Sequence, residues 1–240
     1  MICEGRKVLV FSAHAADFCS RTGGTIIRFV EAGGEVKVHD LTYGERCESP
    51  TLWDREETPT MAEIKAIRKG EIEAAATLLG ADIDCFDFGD SPLVLGPERR
   101  LQILDAIRAF QPDLVLSHWI NDLLHPDHVE ATQAVLWASR YCGVPGIQTA
   151  HAPCASPQLI CYETMLGTAS LARFLPDIYV DITAVFPRKQ EALKKLATQP
   201  ELPERYEILA RYRALEAQFA AGMRECRFAE GLRQIGATAV

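Results

Sequence analysis

Blocks of apolar and polar residues alternate along the first two-thirds of the chain. Short runs of apolar and β-branched residues predict buried strands, and apolar positions spaced three or four residues apart predict helices that pack on them. The strands predicted in this way span residues 7–13, 35–41, 83–88, 114–117, 159–163 and 178–181. The predicted helices span about residues 25–32, 60–79, 101–110, 129–141, 185–197 and 204–222.

The order of these elements predicts the fold class. A strand followed by a helix and then another strand implies right-handed crossovers, so we expect an α/β, Rossmann-like fold with a mostly parallel sheet and helices on both faces. The length of 240 residues and the hydrophobic content of 48% suit a single domain over residues 1–240. The pattern is looser beyond Gly143, and we expect this last third to shape the mouth of a substrate site.

Two motifs follow predicted strands and carry metal-ligand chemistry. His14 and Asp17 stand three residues apart after the first strand, and His128 closes the segment His125-Pro-Asp-His128 after the fourth strand. Sites in open α/β sheets form beyond the carboxyl ends of the strands, so these side chains can meet. Catalytic zinc typically takes three His or carboxylate ligands and keeps one position for water. His14, Asp17 and His128 are therefore predicted to bind zinc or another divalent metal.

Each motif alone also has a simpler interpretation. A His-x-x-Asp segment after a strand can be a hydrogen-bonded histidine beside a helix-capping aspartate. His125 and His128 can be solvated loop residues with Asp127 as the N-cap. Pro126 stiffens this turn, and Asp127 is suited to orient a ligand imidazole. The two motifs together favour the metal site.

A long loop over residues 42–59 and the helix after it carry further candidates. Glu48 is suited to swing over the metal and transfer protons, although a solvated loop acid fits the same residues. Arg46 is an anion clamp or an exposed charge. Arg68 and Glu71 are three residues apart on one helix, which favours a surface ion pair over carboxylate binding. His118 ends the fourth strand and either donates into the site or packs in the core.

Gly23-Gly24 lacks the Gly-x-Gly-x-x-Gly spacing of a dinucleotide loop and follows the first strand too late for one. Dinucleotide binding is therefore discarded. We expect the two glycines to let the start of the first helix lie close to the metal loop.

Charge and cysteine content limit the partners. The formal net charge is -8, with both signs interspersed, which argues against a surface for nucleic acid or anionic membranes. A small anionic substrate would then be gathered by local arginines. The eight cysteines form no Cys-x-x-Cys pair, and no segment approaches the length of a membrane span. These features predict a cytoplasmic protein with reduced thiols, and they leave a homo-oligomer open.

Several motifs, in order along the first 140 residues, resemble the PIG-L (LmbE-like) zinc-dependent N-deacetylases. These motifs are Ala13-His-x-x-Asp17, Gly23-Gly-Thr-Ile26, Gly44-Glu45, Arg68-x-x-Glu71 with Leu79-Gly80, and His125-Pro-Asp-His128. The resemblance implies a Rossmann-like fold with zinc on the positions matching His14, Asp17 and His128.

One departure from the deacetylase pattern changes the expected reaction. That pattern reads Ala-His-Pro-Asp-Asp-Glu, and its first Asp is the general base; this chain has Ala16 there, and Phe18 replaces the Glu. Because a missing general base costs about two to four orders of magnitude in rate, amide hydrolysis is disfavoured unless another residue substitutes.

The chain also resembles the oxalomesaconate hydratase branch of the superfamily, which shows the same loss. The matching segments are Ser12-Ala-His-x-Ala-Asp-Phe18, Gly44-Glu-Arg-x-Glu-Ser49 with Leu52-Trp53, and Phe86-Asp-x-Gly-Asp-x-Pro92. This branch adds water to a tricarboxylic intermediate of gallate degradation, and its residue matching Glu48 is a catalytic acid/base. It also uses a histidine after the strand matching residues 159–163, where this chain has Thr164 and Met165.

Three hypotheses follow for the function. The first is a zinc-dependent hydratase of an unsaturated oxo-carboxylic acid. In this hypothesis Glu48 moves the proton, His125 stabilises developing negative charge, and Asp127 completes the catalytic group. Arg46 and Arg68 would hold substrate carboxylates. The second is an N-deacetylase of an N-acyl sugar in which Glu48 replaces the lost base, and the third is a non-catalytic metal-dependent binding protein.

Overall fold

The computed structural model describes residues 2, 4–57 and 59–236, and seven strands within these residues form one sheet. The strands are β1 (Lys7–Ser12), β2 (Glu35–Asp40), β3 (Asp82–Cys85), β4 (Leu114–Ser117), β5 (Gln158–Tyr162), β6 (Ile178–Asp181) and β7 (Ala229–Ile235). Their order across the sheet is β3-β2-β1-β4-β5-β7-β6. The first five strands are parallel, whereas β7 is antiparallel to both β5 and β6.

Helices cover both faces of the sheet, which confirms the predicted α/β, Rossmann-like class. They are α1 (Asp17–Glu31), α2 (Pro50–Trp53), α3 (Met61–Leu79), α4 (Pro97–Phe110), α5 (Pro126–Tyr141), α6 (Phe186–Leu193) and α7 (Leu202–Ala220). Alternate residues of β1 point to opposite faces. Val8 and Val10 pack in the cluster that includes α1, α3, α6 and α7, whereas Leu9 and Phe11 pack with α4 and α5. β1 is therefore apolar on both faces because helices cover both of them.

The first helix begins earlier than predicted. α1 begins at Asp17, directly after a four-residue turn from β1, so the prediction of a start near Thr25 is wrong. Gly23-Gly24 lies inside α1 rather than at its start. A Cβ on Gly24 would lie 2.5 Å from Ile182 Cγ2, so close packing explains a glycine that would otherwise weaken the helix. The consequence for the site is that Asp17 stands on the first turn of a helix.

Other helix ends follow recognisable signals. Thr60 and Glu63 form a capping box at the start of α3, and Gly80 ends this helix in the left-handed conformation with φ of 82°. The helices predicted from residues 101 and 129 begin earlier, at Pro97 and Pro126, because proline fits the first helical position. The third strand, predicted over residues 83–88, ends at Cys85.

β7 and the short α2 were not predicted. The sequence of β7 does not alternate between apolar and polar residues in the usual way, because one of its buried positions carries the acidic residue Glu230. The Glu230 carboxylate accepts hydrogen bonds from the backbone N–H groups of Gly24 and Thr25 and from Lys189 Nζ, which lies 2.7 Å from Glu230 Oε1. Because the charge of Lys189 compensates this buried carboxylate, β7 can pack against α1.

Two further observations concern the cysteines and the helices of the described chain. The seven cysteines within the described ranges are free thiols, and the eighth, Cys3, lies outside those ranges. Among the described helices, none combines the length and the apolar character needed to cross a membrane.

Candidate metal centre and active site

Two neighbouring parallel strands deliver the candidate ligands. β1 pairs with β4 in the register Val8 with Leu114, so the carboxyl ends of both strands lie side by side. His14 follows the end of β1 directly. His128 lies on the first turn of α5, which the chain reaches through the loop after β4. The predicted meeting of the two motifs at one edge of the sheet is therefore observed.

His14, Asp17 and His128 are fully buried and converge. Asp17 Oδ2 lies 3.5 Å from His14 Nδ1 and 3.6 Å from His128 Nε2. Neither of these nitrogens has a hydrogen-bond partner among the described residues. Ligand atoms of a tetrahedral zinc site, with bonds of about 2.1 Å, are separated by about 3.4 Å. These two distances suit a divalent cation held by the three side chains, and the two orphaned nitrogens are accounted for if they face one.

The other nitrogen of each imidazole is held by a carboxylate. Asp122 Oδ2 lies 2.8 Å from His128 Nδ1, and Asp127 Oδ2 lies 3.1 Å from His14 Nε2. Such partners fix the ring orientation and leave the opposite nitrogen free to bind a metal. Asp127 thus orients His14 across the site, and its carboxylate also accepts hydrogen bonds from the N–H groups of Ser91 and Leu93.

The role of Asp122 as the partner of His128 was not predicted from the sequence. It stands six residues before His128 in the loop after β4, where no spacing rule marks it.

The electrostatics of the site favour a cation among these side chains. Burial lowers the pKa of His14, but the charge of Glu48, the hydrogen bond with Asp127 and the nearby Asp17 carboxylate outweigh burial and raise this pKa well above its ordinary value. Burial raises the pKa of Asp17, but the adjacent Arg21 guanidinium contributes to holding that pKa well below the usual range. The site therefore stabilises positive charge at the His14 ring. A metal ion would occupy the same favourable potential and displace the proton.

His118 is packed beside the ligands rather than aimed at a substrate. Its Nε2 accepts a hydrogen bond from the Ala13 N–H at 2.9 Å and lies 3.3 Å from Asp17 Oδ2. The ring stacks on His128 with a centroid distance of 3.9 Å. Burial lowers the pKa of His118, which keeps the ring neutral at pH 7. The ring is packed as one interpretation predicts, although its Nδ1 has no hydrogen-bond partner among the described residues.

The loop after β2 brings Glu48 over the site. Glu48 Oε1 lies 3.7 Å from His14 Nδ1 and 3.9 Å from His125 Nε2, and Oε2 is without a hydrogen-bond partner in the described part of the chain. Gly44 permits this approach. It has φ of 63°, and a Cβ there would lie 3.0 Å from Glu48 Cβ and 3.3 Å from His14 Cβ. Burial raises the pKa of Glu48, and the charge of Asp17 adds to the rise.

His125 is the N-cap residue of α5, next to Glu48, and is largely covered. Burial lowers its pKa to about 4, so the ring is neutral at pH 7. The ring stacks on His128 with a centroid distance of 3.8 Å. A neutral imidazole in this place can donate one hydrogen bond to an oxygen in the site.

The two arginines predicted to bind substrate lie outside the centre of the site. Arg46 is exposed, and its Nη1 donates a hydrogen bond to the carbonyl oxygen of Asp90. Arg68 forms the expected ion pair with Glu71 at 2.7 Å, but this pair is buried rather than at the surface. Arg68 Nη2 lies 4.0 Å from Glu48 Oε2. Arg68 therefore stands behind Glu48 and supports it.

A cavity of about 270 Å³ opens beside Asp17, Glu48 and His125. As expected, much of its wall comes from the last third of the chain. The residues that this third contributes include Met165, Leu166, Gln199, Leu202, Arg205 and Tyr206. Arg21 of α1 also lines the cavity and was not predicted, since its position one turn after Asp17 matters only if α1 begins at Asp17.

Comparison with known proteins assigns the family. The sequence profile of PIG-L, described as GlcNAc-PI de-N-acetylase, matches residues 9–139, which include the candidate ligands, Glu48 and α5 up to Ser139. The chain belongs to the PIG-L family. The matched range ends before β5, so all of the residues that line the cavity from the last third lie outside it.

Among PIG-L relatives, the chain is 34% identical over 233 residues to a 4-oxalmesaconate hydratase from Pseudomonas putida. This alignment covers 96% of the chain and 89% of the hydratase. It is 27% identical over 232 residues to a diacetylchitobiose deacetylase from Thermococcus kodakarensis, with coverage of 95% and 82%. The relatives therefore include two reaction classes.

A solved PIG-L structure extends the likeness to the whole fold. The crystal structure of a 4-carboxy-2-hydroxymuconate hydratase from Pseudomonas putida KT2440 superposes with a TM-score of 0.91 at 33% identity, and it covers 98% of each chain. The antiparallel end of the sheet is thus part of the shared architecture.

Proposed function

We propose that this PIG-L chain is a zinc-dependent hydratase that adds water across a carbon-carbon double bond of an unsaturated oxo-carboxylic acid such as 4-oxalmesaconate. The likeness to a Pseudomonas putida hydratase, found both by sequence and by comparison with a crystal structure over nearly the whole chain, supports the substrate class. The observation that carries the proposal is Ala16, which stands where the deacetylase pattern has an acidic residue, together with the largely covered Glu48 beside His14.

Glu48 is suited to the proton transfers of a hydration. The addition of water removes one proton from water and delivers one to carbon, while the hydroxyl oxygen bonds to the neighbouring carbon. A carboxyl group with a raised pKa can serve both steps, because it releases and accepts protons closer to neutral pH. Ala16 is buried and apolar, so α1 offers no acid at that position. Proton transfer must then come from the loop that carries Glu48.

The remaining polar side chains have supporting roles in this proposal. His14, Asp17 and His128 would hold zinc, or another divalent metal, which when bound polarises a substrate oxygen as a Lewis acid. His125 donates a hydrogen bond to the oxygen that gains negative charge. Asp127 keeps His14 in place through the contact at Nε2. We further infer a cytoplasmic location, because free thiols suit a reducing compartment. The resemblance to the oxalomesaconate hydratase branch supports a role in the degradation of aromatic acids.

The proposal is tested by mixing the purified, zinc-loaded protein with 4-oxalmesaconate. We expect a saturable loss of the conjugated absorbance and a product heavier than the substrate by one water molecule, detected by mass spectrometry. If the zinc-loaded protein leaves the absorbance unchanged, hydration of this substrate class is excluded.

Deacetylation is the second candidate, and one geometric observation favours it. Glu48 Oε1 lies 3.7 Å from His14 Nδ1, so this carboxylate reaches the region where a deacetylase needs its base. Release of acetate from N-acetylglucosamine conjugates, without hydration of 4-oxalmesaconate, would replace the first proposal by this one. Bound zinc in a protein that shows neither activity would support the third hypothesis, a non-catalytic metal-dependent binding protein.

A further inference from the structure

Arg21 is a buried guanidinium in the cavity whose bonding capacity is only partly used. Its side chain is 5% exposed, and Nη1 donates to Asp17 Oδ1 in a close ion pair. Arg21 Nε has no hydrogen-bond partner within residues 2, 4–57 and 59–236. A buried donor without an acceptor is costly, so an acceptor from a bound ligand is expected at this place.

The other two arginines near the site cannot offer the same contact. Arg68 donates from Nε to Tyr43 O, from Nη1 to Glu71 and from Nη2 to Gln199 Oε1. Its fork is therefore occupied by the protein. Arg46 is exposed, and its Nη1 is bound to a backbone carbonyl.

Arg205, on the first turns of α7, lines the same cavity as Arg21. It forms an ion pair with Glu201, with Arg205 Nη1 3.3 Å from Glu201 Oε1, and the Arg205 side chain is 58% exposed. An exposed ion pair within a helix contributes little free energy. Arg205 can therefore exchange Glu201 for an anionic ligand at low cost.

We propose that Arg21 and Arg205 form a carboxylate-binding subsite that selects polycarboxylate substrates over neutral ones. The inference rests on the proposed function and names the residues that set its substrate class. Arg21 presents a rigid fork of donors that matches a carboxylate, with one edge already fixed by Asp17. The substrate would then extend from the candidate metal ligands, beside Glu48, toward the side of the cavity formed by α7.

A structural role for Arg21 makes a different prediction. If Arg21 serves only to hold Asp17, its replacement weakens zinc binding and leaves the affinity of the zinc-loaded protein for polycarboxylates unchanged. If it binds a carboxylate, its replacement weakens polycarboxylate binding in protein that retains zinc. The two roles are separated by measuring both quantities on the same samples.

The probe is tricarballylate, an unreactive tricarboxylate, titrated by calorimetry into the zinc-loaded full chain, with acetate as the monocarboxylate reference. Arg21→Met should weaken tricarballylate binding by about 10- to 100-fold, the effect of losing a charged hydrogen-bonded pair. Arg21→Lys keeps the charge and loses the fork, so a smaller loss is expected. Acetate affinity should change much less, because its single carboxylate can bind at the metal.

A matched pair on α7 tests the second half of the subsite. Arg205 and Arg211 both pair with a glutamate four residues earlier, but only Arg205 lines this cavity among the described residues. Arg205→Gln should weaken tricarballylate binding a few-fold, whereas Arg211→Gln should not change it. If the Arg21 variants fail to fold, the comparison of Arg205→Gln with Arg211→Gln still tests the proposed subsite.

Two results would overturn the subsite. One is zinc-loaded Arg21→Lys or Arg21→Met with wild-type affinity for tricarballylate. The other is equal affinity for the Arg205→Gln and Arg211→Gln proteins. Because tricarballylate binding requires no turnover, an inactive protein that still shows the Arg21 effect would refute the hydratase and keep the subsite.

Discussion

The region up to α5 and the region from β5 onward build the site in different ways. The first region holds the candidate ligands on short connections after strands, and each imidazole is fixed by a carboxylate, Asp127 or Asp122. The second region contributes long side chains of helix and loop, such as Arg205 and Met165, to the cavity wall. The candidate metal ligands thus lie on short, rigid connections within the PIG-L profile, whereas much of the cavity wall comes from side chains that the profile does not cover.

Removal of one ligand in the first region should have the largest effect. His14→Ala deletes a candidate ligand nitrogen at the fully buried centre, so we expect zinc to fall from stoichiometric to trace amounts and activity to vanish. Elemental analysis of the purified protein measures the metal. His151→Ala is the control, because His151 is exposed and pairs with Asp105 away from the site. Zinc retained by His14→Ala would refute the proposed ligand set.

Glu48→Gln should separate catalysis from metal binding. Loss of the proton-transferring carboxylate should lower kcat by about 100- to 10,000-fold while the zinc content stays unchanged. The exposed Glu57, in the same long loop, gives the control variant Glu57→Gln. Steady-state rates beside elemental analysis provide both measurements, and wild-type kcat in Glu48→Gln would remove Glu48 from the mechanism.

The contact between the two regions is tested by Glu230→Gln. This change leaves the buried charge of Lys189 uncompensated, so the free energy of unfolding should fall by about 3–5 kcal/mol. Urea unfolding followed by circular dichroism measures it, and Glu225→Gln, at an exposed position, should be neutral. A change below about 1 kcal/mol, typical of an exposed pair, would mean that β7 and α1 are joined mainly by apolar packing.

The carboxylate partners of the imidazoles should have a smaller effect than the ligands. Asp122→Asn weakens the fixation of His128, so zinc affinity should fall by about 10- to 100-fold. Competition with a chromophoric chelator measures this affinity. Asp105→Asn is matched to it, since Asp105 holds the exposed His151 in the same manner. Equal zinc affinity in both variants would show that rigid backbone alone orients the ligands.

The parts of the fold that could be predicted are those with local causes. The apolar runs of β1 and β4 and the capping box of Thr60 depend on neighbouring residues, and they place strands and helices well. Contacts between distant residues explain the errors. Gly23-Gly24 sits within α1 because of Ile182, and β7 hides a buried Glu230 because of Lys189.

The candidate site likewise has a part that could be predicted from the sequence and a part that could not. The meeting of the His14 and His128 motifs could be predicted, because the parallel strands that precede them end at the same edge of the sheet. The surroundings of Arg68 and the role of Arg21 depend on contacts that no spacing reveals. Arg68 became buried because the loop carrying Tyr43 lies over it, and Arg21 faces the cavity only when α1 starts at Asp17.

The hydrogen bonds between Glu230 and the backbone of α1 also have a consequence for folding during synthesis. Glu230 accepts a hydrogen bond from the backbone of Thr25, a residue 205 positions earlier in the chain. On the ribosome, His14 and Asp17 therefore emerge long before the strand that braces their helix. The nascent chain carries an unfinished binding pocket, and we expect metal loading to follow the end of translation rather than accompany it.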